Sequence, residues 1–153
     1  MLIQIALGSV LLVLNIAIAA TAAFVLEEIF VRWHRWLIRP PQRPKLLLLI
    51  AGTAVFALAI ITAGVWVWAL AYDLIGAFPT LETSVYFSLV CFTTLGFGDV
   101  ILPLEWRVLA GMEAANGFMH IGLLTALMIE TLRQVRMAQI EHDRRSRTGP
   151  RSD

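Results

Sequence analysis

The sequence predicts an all-α membrane protein, with three transmembrane helices and a short re-entrant helix with an extended return between the second and third. Three observations carry this. The 153 residues are 59% hydrophobic and only 15% charged, with a mean hydropathy of +0.78, whereas soluble domains run at about 45–50% apolar and roughly 25% charged. Residues 1–25 and 46–72 hold no charged side chain, and each exceeds the ~20 residues a helix needs to cross a bilayer. Eleven of the twelve basic residues fall in two segments, 31–45 and 133–153, the remaining one being Arg107. A soluble enzyme is excluded. The one cysteine, Cys91, excludes an intrachain disulfide framework and any Cys-built metal site.

The elements follow in order. A first helix is expected over 1–29, then a basic loop over 30–45 carrying Arg32, Arg35, Arg39, Arg43 and Lys45. Pro40, Pro41 and Pro44 keep that loop from continuing as one helix, and its Trp/Arg half suits the membrane surface. A second helix is expected over 46–72, with Trp66, Trp68 and Tyr72 at its end as interfacial anchors. A third apolar stretch, 108–129, is interrupted by Glu113 and His120, so a helix is expected over 107–132. The tail 134–153 is Arg-rich, with 144–153 expected to be disordered.

Basic residues in short loops stay cytoplasmic. The connection 73–106 has none and carries Asp73, Glu82, Asp99 and Glu105. The expected topology is N-terminus outside, basic loop inside, acidic connection outside and C-terminal tail inside, in the cell membrane. A cleaved signal peptide is the competing reading of the first span, from the small residues Ala17 and Ala19. It lacks a positive n-region, and cleavage would invert the charge rule.

The acidic connection is too apolar for an ordinary loop. Thr80 as cap and Glu82 in the first turn mark a helix start, and a helix over 81–93 would be about 20 Å long. That is too short to span, so it must dip in and return. The return, 94–99, is tolerated at membrane depth only where it is buried in protein or lines a water-filled path.

The string Thr93-Thr94-Leu95-Gly96-Phe97-Gly98-Asp99 resembles the selectivity filter of potassium channels, whose loops read TVGYG and are usually followed by Asp. The order helix, half-helix, filter, helix matches that family's pore domain over 46–133, leaving the first helix as a peripheral addition. The resemblance implies a potassium channel that conducts passively and does no chemistry. The carbonyls of Thr94, Leu95, Gly96 and Phe97, with Gly98, would replace the hydration shell of K+ as the permeant ion. Gly96 and Gly98 supply backbone conformations that other residues adopt at a cost. Asp99 would sit at the outer mouth, and the Phe97 ring would pack against the half-helix. One filter segment per chain implies a homotetramer. By the same resemblance, Gly117 stands where a hinge glycine is found, with close packing as the equal alternative. Phe118, Ile121, Thr125 and Ile129 would line the inner cavity and gate.

Glu113, Asn116 and His120 fall on the opposite face of that helix. They are expected as an interhelical hydrogen-bonded network holding the half-helix, with a pH-sensitive network as the sharper alternative. The first helix carries Gln4, Ser9, Asn15 and Thr21 but no cation, which argues against voltage sensing. Arg32, Arg35, Arg133 and Arg136 are expected on anionic lipid headgroups, and nucleic acid is a poor partner for a membrane-tethered tail. His34 and His142 have no metal-ligand spacing, and no cofactor is expected.

Three departures from the family pattern stand out: Phe97 for Tyr, Val90 where some members have Glu, and Tyr86-Phe87 where many have two tryptophans. They leave a weakly selective cation channel as the alternative within the class. From other classes, a non-conducting scaffold or accessory subunit accounts for the spans but not the re-entrant segment. Tyr72-Asp73 and Gly96-Phe97-Gly98-Asp99 also resemble the YD and GxGD motifs of intramembrane aspartyl proteases. There, two carboxylates must meet inside the bilayer, and three spans are too few.

Overall fold

A computed structural model describes residues 1–38 and 42–148, all helix or connection. The elements are α1 (Leu2–Ile38), α2 (Gln42–Leu74), the half-helix α3 (Leu81–Phe92), a 3-10 turn (Leu104–Trp106) and α4 (Arg107–Thr148). Stretches of three helices, Leu2–Trp33, Pro44–Leu74 and Leu104–Glu141, are long and apolar enough to cross a membrane. We call the end with the α2–α3 connection the acidic end and the opposite one the basic end.

The helices run past the ends that hydropathy suggests. The expected loop over 30–45 is largely helical: residues 31–38 continue α1, and α2 begins at Gln42. Nothing between Glu27 and Ile38 breaks a helix, and the exposed Glu28–Arg32 pair at 3.5 Å supports this extension. Residues 39–41, with Pro40 and Pro41, lie outside the described residues. Pro44 falls in the first turn of α2, where a missing N–H does no harm. The tail expected to be disordered from Arg144 is helical through Thr148, and 149–153 lie outside the described residues. Polar helix formers hold it, including Glu130 accepting from Arg133 and Gln134 at 3.0 Å each.

The core lies toward the acidic end, where all four helices meet. Trp68 and Tyr72 are fully buried there with Phe87, Phe92 and Leu109, so they are not the interfacial anchors expected of them; Trp66 alone of the three is exposed. Tyr72 meets Phe87 edge-on at 5.4 Å, and Phe78 lies 5.0 Å from Phe87. α3 wedges into the angle between α2 and α4, and the ring cluster sets its tilt.

α1 and α4 run parallel. Gln4 Oε1 accepts from the Val108 backbone N–H at 3.2 Å, satisfying one of the amides α4 leaves open at its start. One turn on, Gly8 abuts the Met112 and Leu109 side chains. At the basic end a cavity of about 550 Å³ is lined by Ala23, Glu27 and Phe30 of α1 and by Leu127, Thr131 and Gln134 of α4. The sequence offset of 104 seen at Gln4 and Val108 therefore holds along the pair. The buried stripe of α1 reads Gln4, Gly8, Leu11, Asn15, Ala19, Ala22, the small and polar side chains that let helices associate within lipid.

Candidate functional site

The site is built on the two ends of α3. At its start, the Thr80 hydroxyl accepts from the Thr83 N–H at 3.2 Å, with Glu82 in the first turn, as the sequence predicts. At its finish, the chain makes a Schellman turn: Leu95 N–H donates to the Val90 carbonyl at 3.0 Å, and Thr94 N–H to Cys91 at 2.9 Å. The residue that must turn left-handed there is Thr94, at φ +60°. A β-branched residue is rarely found in that conformation, and the position is normally glycine.

From this turn the sign of φ alternates. Thr94, Gly96 and Gly98 are positive, at +60°, +58° and +77°, while Thr93, Leu95 and Phe97 between them are not. In a backbone alternating this way, successive peptide groups share an orientation instead of facing opposite sides as in a strand. A Cβ on Gly96 or Gly98 would meet nothing within 4 Å in the chain, so glycine is required there by backbone conformation alone. Residues 94–99 are all exposed. Phe97 is 66% exposed, so its ring does not pack against the half-helix of its own chain.

Asp99 is tied back to α3 by the Tyr86 hydroxyl, which donates to Oδ2 at 2.6 Å. That bond holds the Asp99 carboxyl below its ordinary range, since it stabilises the ionised form. Asp99 thus pairs with Tyr86 and not with Asp73, the other half of the YD/GxGD pattern. The Tyr86 partner escapes sequence reading because thirteen residues and a reversal of direction separate the two.

Behind α3 lies a second set of polar contacts. Glu113 is fully buried; Tyr72 donates to its Oε2 at 2.7 Å, and the Ser88 hydroxyl lies against its Oε1. Ser88 Oγ is also 2.8 Å from the Val65 carbonyl, so its single proton serves one acceptor at a time. Cys91 donates to the Ala110 carbonyl at 3.0 Å. One carboxylate thereby joins α2, α3 and α4, as expected of Glu113. The expectation fails for its two neighbours. Among the described residues, the Asn116 side chain has no hydrogen-bond partner, and the hydrogen bond of His120 is Nδ1 to the Asn116 carbonyl, within α4, at 3.2 Å.

Gly117 is a packing glycine in this structure. A Cβ there would fall onto the Phe92 carbonyl, backbone that has no room to give. On the other face of α4, Phe118 (72%), Ile121, Thr125 and Ile129 are exposed, a large apolar stripe with no cover in the single chain.

A family model described as an ion channel matches residues 46–134, more than half of the chain. The protein belongs to that ion channel family. No curated protein and no solved structure gives a match. The matched region of the channel begins in the second turn of α2, at Leu46, and ends at Gln134, where the expected tail begins. α1 lies wholly outside it, although α1 packs along α4 from Gln4 to Phe30.

Proposed function

We propose that the channel is a homotetramer conducting K+ passively, with residues 94–98 of four copies surrounding the axis. The observation carrying this reading is the alternating φ along 93–98, exposed at the C-terminal end of a capped half-helix. Four such strands would direct rings of carbonyl oxygens at a common axis and replace the water oxygens of a dehydrating cation. α3 would add the partly negative end of its dipole. The uncovered Phe118, Ile121, Thr125 and Ile129 stripe would border the cavity below the filter and the neighbouring subunits.

In the cell membrane, the positive-inside rule orients the channel with its acidic end outside and both basic segments in the cytoplasm. Arg32 and Arg133 make only exposed pairs, with Glu28 and Glu130, and such pairs are weak enough to yield to anionic headgroups. Arg136 is exposed and suited to the same role; the Arg35 side chain lies outside the described residues. A weakly selective pore is the second reading, favoured by the exposed Phe97, which lacks a hydroxyl to brace it.

Cation flux from proteoliposomes under K+ or Na+ gradients tests both. K+ flux far above Na+ flux, lost in Gly96→Ala, is the expected outcome. Equal fluxes establish the weakly selective pore, and no flux in the reconstituted tetramer favours a scaffold.

A further inference from the structure

Among the described residues, five buried side-chain atoms lack a hydrogen-bond partner: Asn15 Oδ1, Asn116 Oδ1 and Nδ2, His120 Nε2 and Trp68 Nε1. Unpaired groups of this kind are rare in native interiors, and hydrocarbon surroundings offer them no solvent. Four of the five belong to three residues, Asn15, Asn116 and His120, grouped around Phe92. Asn15 Oδ1 and the tip of the Phe92 ring both lie within about 3 Å of where a Cβ on Gly64 would sit. The Phe92 ring stacks edge-on with His120 at 5.6 Å. The offset of 104 between α1 and α4 sets Asn15 beside position 119, between Asn116 and His120. Trp68 follows Gly64 by one turn on α2.

The hydrogen-bonding capacities are complementary to one small ligand. With Nδ1–H directed at the Asn116 carbonyl, His120 presents Nε2 as an acceptor. Asn15 and Asn116 each offer a carbonyl oxygen, and Asn116 adds an amide donor. Three acceptors and a donor in one buried neighbourhood suit water, which makes two to four bonds in buried polar sites. They do not suit a cation, which the Asn116 amide would repel. Among the described residues, the buried Glu113 beside the site is taken up by Tyr72 and Ser88.

We propose that this is a structural water site, holding one or more water molecules between α1 and α4 behind the end of the half-helix. From Gln4 to Asn15 is about 16 Å along α1, roughly half the ~30 Å hydrocarbon thickness. The water links α1 to the pore domain near the bilayer midplane. The first helix is thereby fastened to α4 at three levels: Gln4 on Val108, Gly8 against Met112 and Leu109, and the water site. This reading does not rest on conduction or on K+ selectivity.

X-ray hydroxyl-radical footprinting of the full chain in lipid nanodiscs tests it, because radicals formed from bound water label the side chains beside it. Tyr72 is as buried as Phe92 and His120 and intrinsically reactive, and serves as the dry reference. His120 and Phe92 labelling severalfold faster than Tyr72 is the expected result, with Asn15→Leu bringing both down to the Tyr72 rate. Slow labelling of all three in the wild type overturns the proposal. So does fast labelling that Asn15→Leu leaves unchanged, which would put the water elsewhere. Slow wild-type labelling decides without any variant, and where Asn15→Leu does not fold, Asn116→Leu takes its place.

Discussion

α2 and α3 end in the same hydrogen-bonded turn, and the two ends differ in what that turn is for. At the end of α2, Ala77 N–H bonds the Tyr72 carbonyl and Gly76 N–H bonds Asp73, both at 3.0 Å, with Gly76 at φ +66°. At the end of α3, Leu95, Thr94, Val90 and Cys91 repeat the pattern, with Thr94 in the glycine's place. Left-handed backbone costs a non-glycine residue about 1–2 kcal/mol. Glycine at 76 avoids that cost, and threonine at 94 bears it. The α2 turn merely stops a helix; the α3 turn starts an alternating strand. It is also held from behind, by Glu113 at Ser88, by Gly117 under Phe92, and by Tyr86 on Asp99. Strain is retained where surrounding contacts over-determine the conformation, and such places are commonly functional.

The largest effect should come from removing the support behind α3. Glu113→Leu leaves the buried Tyr72 hydroxyl without its acceptor and Ser88 with the Val65 carbonyl alone, and should destabilise the protein by about 1–3 kcal/mol, read from thermal unfolding in detergent. Gly76→Ala should cost about 1–2 kcal/mol through its positive φ while leaving the K+/Na+ flux ratio unchanged, since the α2 turn carries no strand. Thr94→Gly should do the reverse. Relief of the left-handed backbone adds roughly 1 kcal/mol of stability, and the flux ratio falls with loss of the hydroxyl. A Thr94→Gly protein that keeps its flux ratio breaks the comparison, because the strain would then serve nothing.

The smallest effect is electrostatic. Tyr86 lowers the Asp99 pKa, so the stabilisation this bond lends is present above the ordinary carboxylate pKa of about 3.9. It is lost as pH falls through the lowered value. Tyr86→Phe returns the carboxyl toward its ordinary range, so current should fail at a higher pH on acidification than in the wild type. An unchanged acid limb would place the titrating group elsewhere.

The spans, the half-helix with its Thr80 cap and the buried face of α4 were legible because each rests on local pattern. What was hidden has identifiable causes. Hydropathy marks where a bilayer ends, not where a helix ends; α1 and α4 both overrun their apolar stretches on helix-forming polar residues. Trp68 and Tyr72 misled because aromatic residues serve membrane belts and cores alike, and only tertiary contact distinguishes them. The partner of α1 was concealed for a related reason. A helix apolar on every side offers no hydrophobic face to read, so the stripe that matters is the small and polar one, Gln4 to Ala22, visible only once polarity is treated as the signal.

α4 is 42 residues long, about 63 Å at the α-helical rise, so most of it lies on the basic side of Gly117. From Gly117 to Thr148 the arm measures about 47 Å. Pivoting it by about 5° at the Phe92 contact displaces the far end by roughly 4 Å, comparable to the shifts that packed helices make between alternative states. α1 runs beside that arm like the second rail of a ladder. Because Gln4 ties α1 to the start of α4, a tilt of α4 about the tight Gly117–Phe92 contact would carry α1 with it.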